Sequence, residues 1–160
     1  IIFGIFGAIP AADPLNSAPR PTEVKWDGTG KVLGHLADEL TKKTGVPVTA
    51  TSVLKSKCEV KLAGVPFWEA LETCAARTGT RVRLADGGRA VELVPRGESR
   101  EVAATSGAFR LVAQQTVGRA PLDSAESVYE VQLLVHWEPR VRVYKMDSAP
   151  RITRGHRSRR

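Results

Sequence analysis

The sequence predicts an α+β protein: a small duplicated β-α-β module, in the order β-α-β-β-α-β-β, followed by a partial antiparallel all-β unit. Three observations carry that prediction. Residues 22–95 switch twice between the two-residue period of a strand and the 3.6-residue period of a helix. Two Thr-Gly pairs, Thr44-Gly45 and Thr78-Gly79, close the two helical stretches at the same relative place. Beyond residue 96 only strand-type alternation remains.

Composition bounds the function classes. At 160 residues the chain can hold one packed domain or two small ones. Hydrophobic residues at 42% and charged residues at 26% speak against disorder and against a membrane-embedded chain. Aromatic residues, at 6%, are too few for stacking platforms along a single-stranded nucleic acid. Two cysteines exclude a disulfide-dense mini-protein and a four-cysteine zinc site. The net charge of +7 is local. Residues 149–160 carry Arg151, Arg154, Arg157, Arg159 and Arg160 and no acidic residue; taking those five from the 24 basic residues leaves 19 against 17 acidic ones. The tail is therefore read as a basic flexible end that can hold phosphate or anionic lipid without specificity.

The elements follow in order. Residue 1 is isoleucine, and the uncharged run from Ile1 to Ile9 ahead of Pro10-Ala11-Ala12 reads as the rear of a signal peptide. An edge strand is the other reading of that run, and it is too short to span a bilayer, which takes about 20 apolar residues. With the proline-rich stretch that follows, residues 1–21 form a leader remnant and linker. Val24-Lys25-Trp26 alternates as a short strand. Val32, Leu33, Leu36, Ala37 and Leu40 recur at helical spacing up to Gly45. Val46 to Ala50 reads as a strand that Pro47 confines to an edge or to its first residues.

The plan then repeats. Val60-Lys61-Leu62 is a strand, and Pro66 takes the first helical position. Phe67, Ala70, Leu71, Cys74, Ala75 and Thr78 form one helical face. Arg81 to Leu84 and Ala90 to Val94 make a hairpin around Asp86-Gly87-Gly88. The two β-α-β units are expected on one short sheet. Residues 96–106 read as a linker or a short edge strand. Phe109, Leu111, Ala113 and Val117 share one parity, as do Tyr129, Val131, Leu133, Val135 and Trp137; after Pro139, Val141, Val143 and Tyr144 open another strand. Residues 96–148 thus form a sandwich-like β unit with Trp137 in its core. That unit needs a second layer, either the first module or a sheet beyond Arg160, and the second arrangement is the one expected.

The segment Val60-Lys61-Leu62-Ala63-Gly64-Val65-Pro66-Phe67-Trp68-Glu69-Ala70-Leu71, with Arg77-Thr78-Gly79, resembles the secretin and TonB N-terminal short domain. That family has a strand, a V-P-x-x-E-A-L helix start, a T-G helix end and a closing hairpin, and the resemblance covers residues 22–95. It implies a periplasmic module that makes protein–protein contacts ahead of an outer-membrane secretin or receptor, without chemistry of its own. No secretin or barrel segment is visible in this chain, so the resemblance implies the contact role and not transport.

Motifs with chemical potential are weak. Gly28-Thr29-Gly30 with Gly34 misses dinucleotide-loop spacing by one residue, and Gly30-Lys31 lacks the hydroxyl of a phosphate loop because Val32 follows. Both read as a turn at a helix start. Cys58 and Cys74, sixteen residues apart, can form a disulfide in an oxidising compartment or remain a buried small hydrophobe and an unrelated thiol. His35, His136 and His156 share no metal-ligand spacing. Glu69 and Glu72 can pair as carboxylates, but Glu69 suits the first turn of a helix, where negative charge complements the dipole. No catalytic, cofactor or metal residues are assigned.

Trp68 is the candidate interaction anchor, with Phe67 and Glu69 beside it. Its alternative is to pack beneath the β-rich unit. The functional expectation is a non-enzymatic, extracytoplasmic protein-interaction module of a Gram-negative-type bacterium, whose partner is another envelope protein. It takes no cofactor and no small-molecule substrate, and it meets membrane only through an uncleaved leader or the basic tail. Nucleic-acid binding through the tail is the alternative from another class, and an unrecognised hydrolase is the third.

Overall fold

The computed structural model describes residues 19–98, 101–119 and 128–143. The expected leader and the basic tail, with His156 and Tyr144, lie outside the described residues. Among the described residues, two helices and eight strands in three sheets make an α+β fold.

In β1 (Glu23–Asp27) the alternation buries Val24 and Trp26 and exposes Glu23, Lys25 and Asp27. Helix α1 (Leu33–Thr44) follows, turning Leu33, Leu36, Ala37 and Leu40 inward. It stops at Gly45, whose φ of 70° is a left-handed conformation that costs glycine little. Strand β2 (Val48–Thr49) is only two residues long, since Pro47 has no N–H to extend its ladder.

Strand β3 (Lys61–Pro66) runs straight into helix α2 (Phe67–Thr78). Pro66 differs from its expected place: with φ −56° and ψ 150° it is the extended residue before the helix, and Phe67 is the first helical residue. Gly79, at φ 67°, ends α2. Strands β4 (Thr80–Ala85) and β5 (Ala90–Pro95) form the expected hairpin, in full antiparallel register from Thr80↔Pro95 to Ala85↔Ala90.

The module does not rest on one sheet. β1 pairs antiparallel with β3, bringing Trp26 opposite Leu62, while β2 joins β5 in parallel in a separate sheet of order β2-β5-β4. Two paired residues are all that β2 offers, and they go to β5. Side chains from both sheets and both helices nevertheless fill one core. Gly28 is part of that packing. A Cβ there would lie 2.0 Å from the Cys58 carbonyl oxygen, and the Gly28 N–H donates to Val60 O at 2.9 Å. The glycine therefore serves close backbone approach, which accounts for the dinucleotide-like look of the segment.

The third sheet has the order β6-β7-β8: β6 (Val102–Ser106), β7 (Phe109–Arg119) and β8 (Val128–Trp137), antiparallel throughout. The expected edge strand within 96–106 is β6. Between Ala113 and Gln115 the β7–β8 register slips, so Val117 pairs with Glu130 and leaves the face that Phe109, Leu111 and Ala113 share. Residues 141–143 are not strand; the Val141 N–H closes a turn onto Glu138 O at 2.7 Å.

Candidate protein-docking face

The expected anchor is not on the surface. Trp68 and Phe67 are both 0% exposed, edge-to-face with ring centroids 5.1 Å apart. The Trp68 indole Nε1–H donates to the Ala108 carbonyl at 3.0 Å. Trp68 thus packs beneath the second unit and joins it to the module, which corrects the exposed-anchor expectation. The helical position off the main stripe is buried because its cover comes from a strand turn forty residues away. Glu69 is exposed in the first turn of α2, where its charge complements the helix N-terminus.

Two charged clusters complete this junction. Arg110 of β7 is 1% exposed, with Nε 2.6 Å from Glu72 Oε1 of α2 and its terminal nitrogen on the Glu101 carboxylate. His136 Nδ1 lies 3.4 Å from the Arg110 guanidinium. Glu138, fully buried, accepts from the Thr22 N–H at 2.9 Å, from the Thr22 hydroxyl and from Arg140 Nε. Each buried charge therefore has a partner, as a low-dielectric site requires. The sheet face carrying Arg110, Val112 and His136 is the one turned to the module, so the first module serves as the second layer.

Burial first, and then the Arg110 charge, hold the His136 imidazole below the ordinary histidine value, against the pull of Glu101. Folding thus favours the neutral ring. Its contribution is fully present above the unfolded value of about 6.5 and is lost as pH falls through that value toward the lower folded one. The urea midpoint should fall on acidification from about pH 7 to about pH 5.5, and His136→Gln should remove part of that slope. An identical slope in the variant would show that another group is responsible.

The opposite face of the same sheet is open. Direct pairs align Val102–Ala113–Leu133, Ala104–Leu111–Val135 and Ser106–Phe109–Trp137, with Thr116–Val131 beyond the register slip. These positions carry no ionisable side chain. Val102 is 68% exposed, Val131 52%, Leu133 51% and Trp137 38%. Trp137 is therefore a surface residue, not the core residue its alternation predicts, and no second sheet faces it among the described residues. Strand spacing and rise give the face roughly 14 Å by 24 Å, comparable with the largest apolar patches of ordinary monomers. β8 is also an edge of its sheet. Beside Trp137, a cleft of about 370 Å³ opens between β8 and the Asp86–Gly88 turn, walled by Leu84, Arg89, Val135 and Pro139.

The remaining candidates are dispersed. His35 is exposed on α1. Among the described residues no group of three or more His, Cys, Asp or Glu is placed to hold a metal ion. No helix among them is long and apolar enough to cross a membrane. Cys58 and Cys74 are free thiols, both buried. The neighbouring Cys58 thiol and burial push Cys74 far above the ordinary thiol range.

No family model, no curated protein and no solved structure matches the chain. Sequence alternation had marked the β8 face correctly as apolar. What it could not supply was which side the module covers, and the missed signal was the buried parity partner Arg110, facing Glu101.

Proposed function

We propose that this chain is a non-enzymatic protein-binding module acting outside the cytoplasm of a Gram-negative-type bacterium, in an envelope transport or signalling assembly. Residues 22–95 resemble the secretin and TonB N-terminal short domain in their motif and in the order β-α-β-β-α-β-β. The observation that carries the reading is the uncharged apolar face beside the edge of β8, which no other strand pairs among the described residues. An extended segment of another envelope protein can add to that edge through its backbone and set side chains on the face and in the cleft beside Trp137. The buried ionisable groups support the same reading, because they answer one another across the junction between the units. No small-molecule substrate, cofactor or nucleic acid enters this function.

Photo-crosslinking in the native host tests it. A benzophenone amino acid at position 131 or 133 should give one discrete protein adduct in the extracytoplasmic fraction. Position 35, on the exposed side of α1, should give several-fold less. Leu133→Lys should lower the adduct at position 131 while changing folding stability by no more than about 0.5 kcal/mol, as usual for an exposed site. Equal yields at 35 and 133, or adducts confined to the cytoplasm, would overturn the proposal.

A further inference from the structure

Strand β8 has 10 residues and is the longest strand at a sheet edge among the described residues. Edges are commonly guarded by brevity, proline, lysine or a bulge. β2 is two residues long behind Pro47, and β6 has five residues. β8 carries no proline, lysine or glycine, and the register slip falls in β7. Its exposure is not confined to the outer face that holds Val131 and Leu133. Leu134 pairs with the buried Val112 on the face turned to the module, and it is still 40% exposed. The strand therefore lacks cover along its edge.

The sequence of β8 also complements itself. Counted outward from Leu133, the flanking positions are Gln132 and Leu134, Val131 and Val135, Glu130 and His136, Tyr129 and Trp137. We infer that two copies of this chain pair through β8, antiparallel, with Leu133 on a two-fold axis perpendicular to the sheet. That axis sets every flanking residue opposite its counterpart in the second copy and keeps like faces together. Leucine meets leucine, valine meets valine, and Glu130 meets His136 on both sides of the axis. Arg110 Nη1 lies 3.4 Å from His136 Nδ1. A guanidinium only donates, so Nδ1 accepts and Nε2 carries the ring proton. The second copy's carboxylate thus meets a donor with the Arg110 charge behind it. Moving the axis to residue 132 or 134 would set Glu130 opposite Leu134 or the buried Glu138 instead. The cleft of about 370 Å³ beside Val135 and Trp137 leaves room for the start of the second copy's strand. The two three-stranded sheets become one sheet of six strands. The self-pairing goes beyond the docking reading and stands whether or not an envelope partner uses the same edge; where one does, its strand displaces the second copy.

Sedimentation of the purified full chain should show a reversible monomer–dimer equilibrium, with the dimer growing as concentration rises. Leu133→Lys sets two like charges against each other on the axis and should raise the dissociation constant by at least about tenfold. Disulfide trapping with a copper–phenanthroline oxidant reads the register. Leu133→Cys chains, with the two Cα atoms about 5 Å apart, should be trapped as dimer. Val131→Cys chains, whose equivalent positions stand roughly 14 Å apart, should not be, but a mixture of Val131→Cys and Val135→Cys chains should. The parent chain, with both its cysteines buried, supplies the background. A chain that stays monomeric at every concentration, or equal trapping of Leu133→Cys and Val131→Cys, refutes the inference. A monomer that still yields a host adduct of another mass refutes the self-pairing alone. A dimer whose only host adduct has twice the mass of the chain refutes the docking reading alone.

Discussion

Replacing Trp68 with alanine is expected to destabilise the protein by about 3–5 kcal/mol, the usual cost of emptying a buried tryptophan site. The indole is fully enclosed, stacks edge-to-face on Phe67 and donates to the Ala108 carbonyl at 3.0 Å. Truncation leaves a cavity where the two units meet and takes one of two donors from the Ala108 carbonyl, which still accepts from the Glu138 N–H at 2.9 Å. Trp68→Phe separates these effects, since it retains most of the ring but not the donor; about 1–2 kcal/mol is expected there. Because a lone three-stranded sheet with one uncovered face is marginal, loosening should fall first on β6–β8. Hydrogen exchange should then report faster exchange at β7 amides than at α1 amides. A Trp68→Ala chain within 1 kcal/mol of the parent would mean that the sheet is held by other contacts.

The second large effect is expected at Arg110. Arg110→Met keeps an apolar stem of similar length but removes the buried positive charge that Glu72 and Glu101 share, leaving Glu101 with Arg81 at 3.9 Å. Breaking a buried pair from one side typically costs about 3–5 kcal/mol, and the lower end applies here because both carboxylates reach some water. Adding Glu72→Gln and Glu101→Gln to Arg110→Met should recover much of the loss. That recovery separates stranded charge from lost packing. Urea midpoints of the single and triple variants make the comparison, and a triple variant no better than Arg110→Met would assign the role of Arg110 to packing alone.

The parts of this fold legible in the sequence are those set by neighbours along the chain. Gly45 and Gly79 end their helices in left-handed conformations, and Asp86-Gly87-Gly88 turns the hairpin with all three φ values positive. Alternation found β8, and helical spacing found both helices. Pairing was not legible in the same way. Whether β2 joins β3 or β5 is decided by backbone groups far apart in sequence, and a two-residue strand gives almost no pattern to read. The candidate site was half legible for the same reason. Alternation showed that Val131, Leu133, Val135 and Trp137 share a face, but only the docking of Trp68 and Arg110 decides that this face is left uncovered. Of the two readings of Trp68, the structure takes the one that packs it beneath the β-rich unit, and the sequence leaves both open because its partner Ala108 lies forty residues away.

The latch at Glu138 has a mechanical consequence. Thr22 and Glu138 touch across 116 positions of sequence, and Arg140 reaches the Arg20 carbonyl at 3.3 Å. The segment before β1 and the segment after β8 therefore lie side by side at one corner. A pull applied through both flanks loads those few polar contacts one after another, peeling the corner open, while the apolar interior bears no shear until they give way.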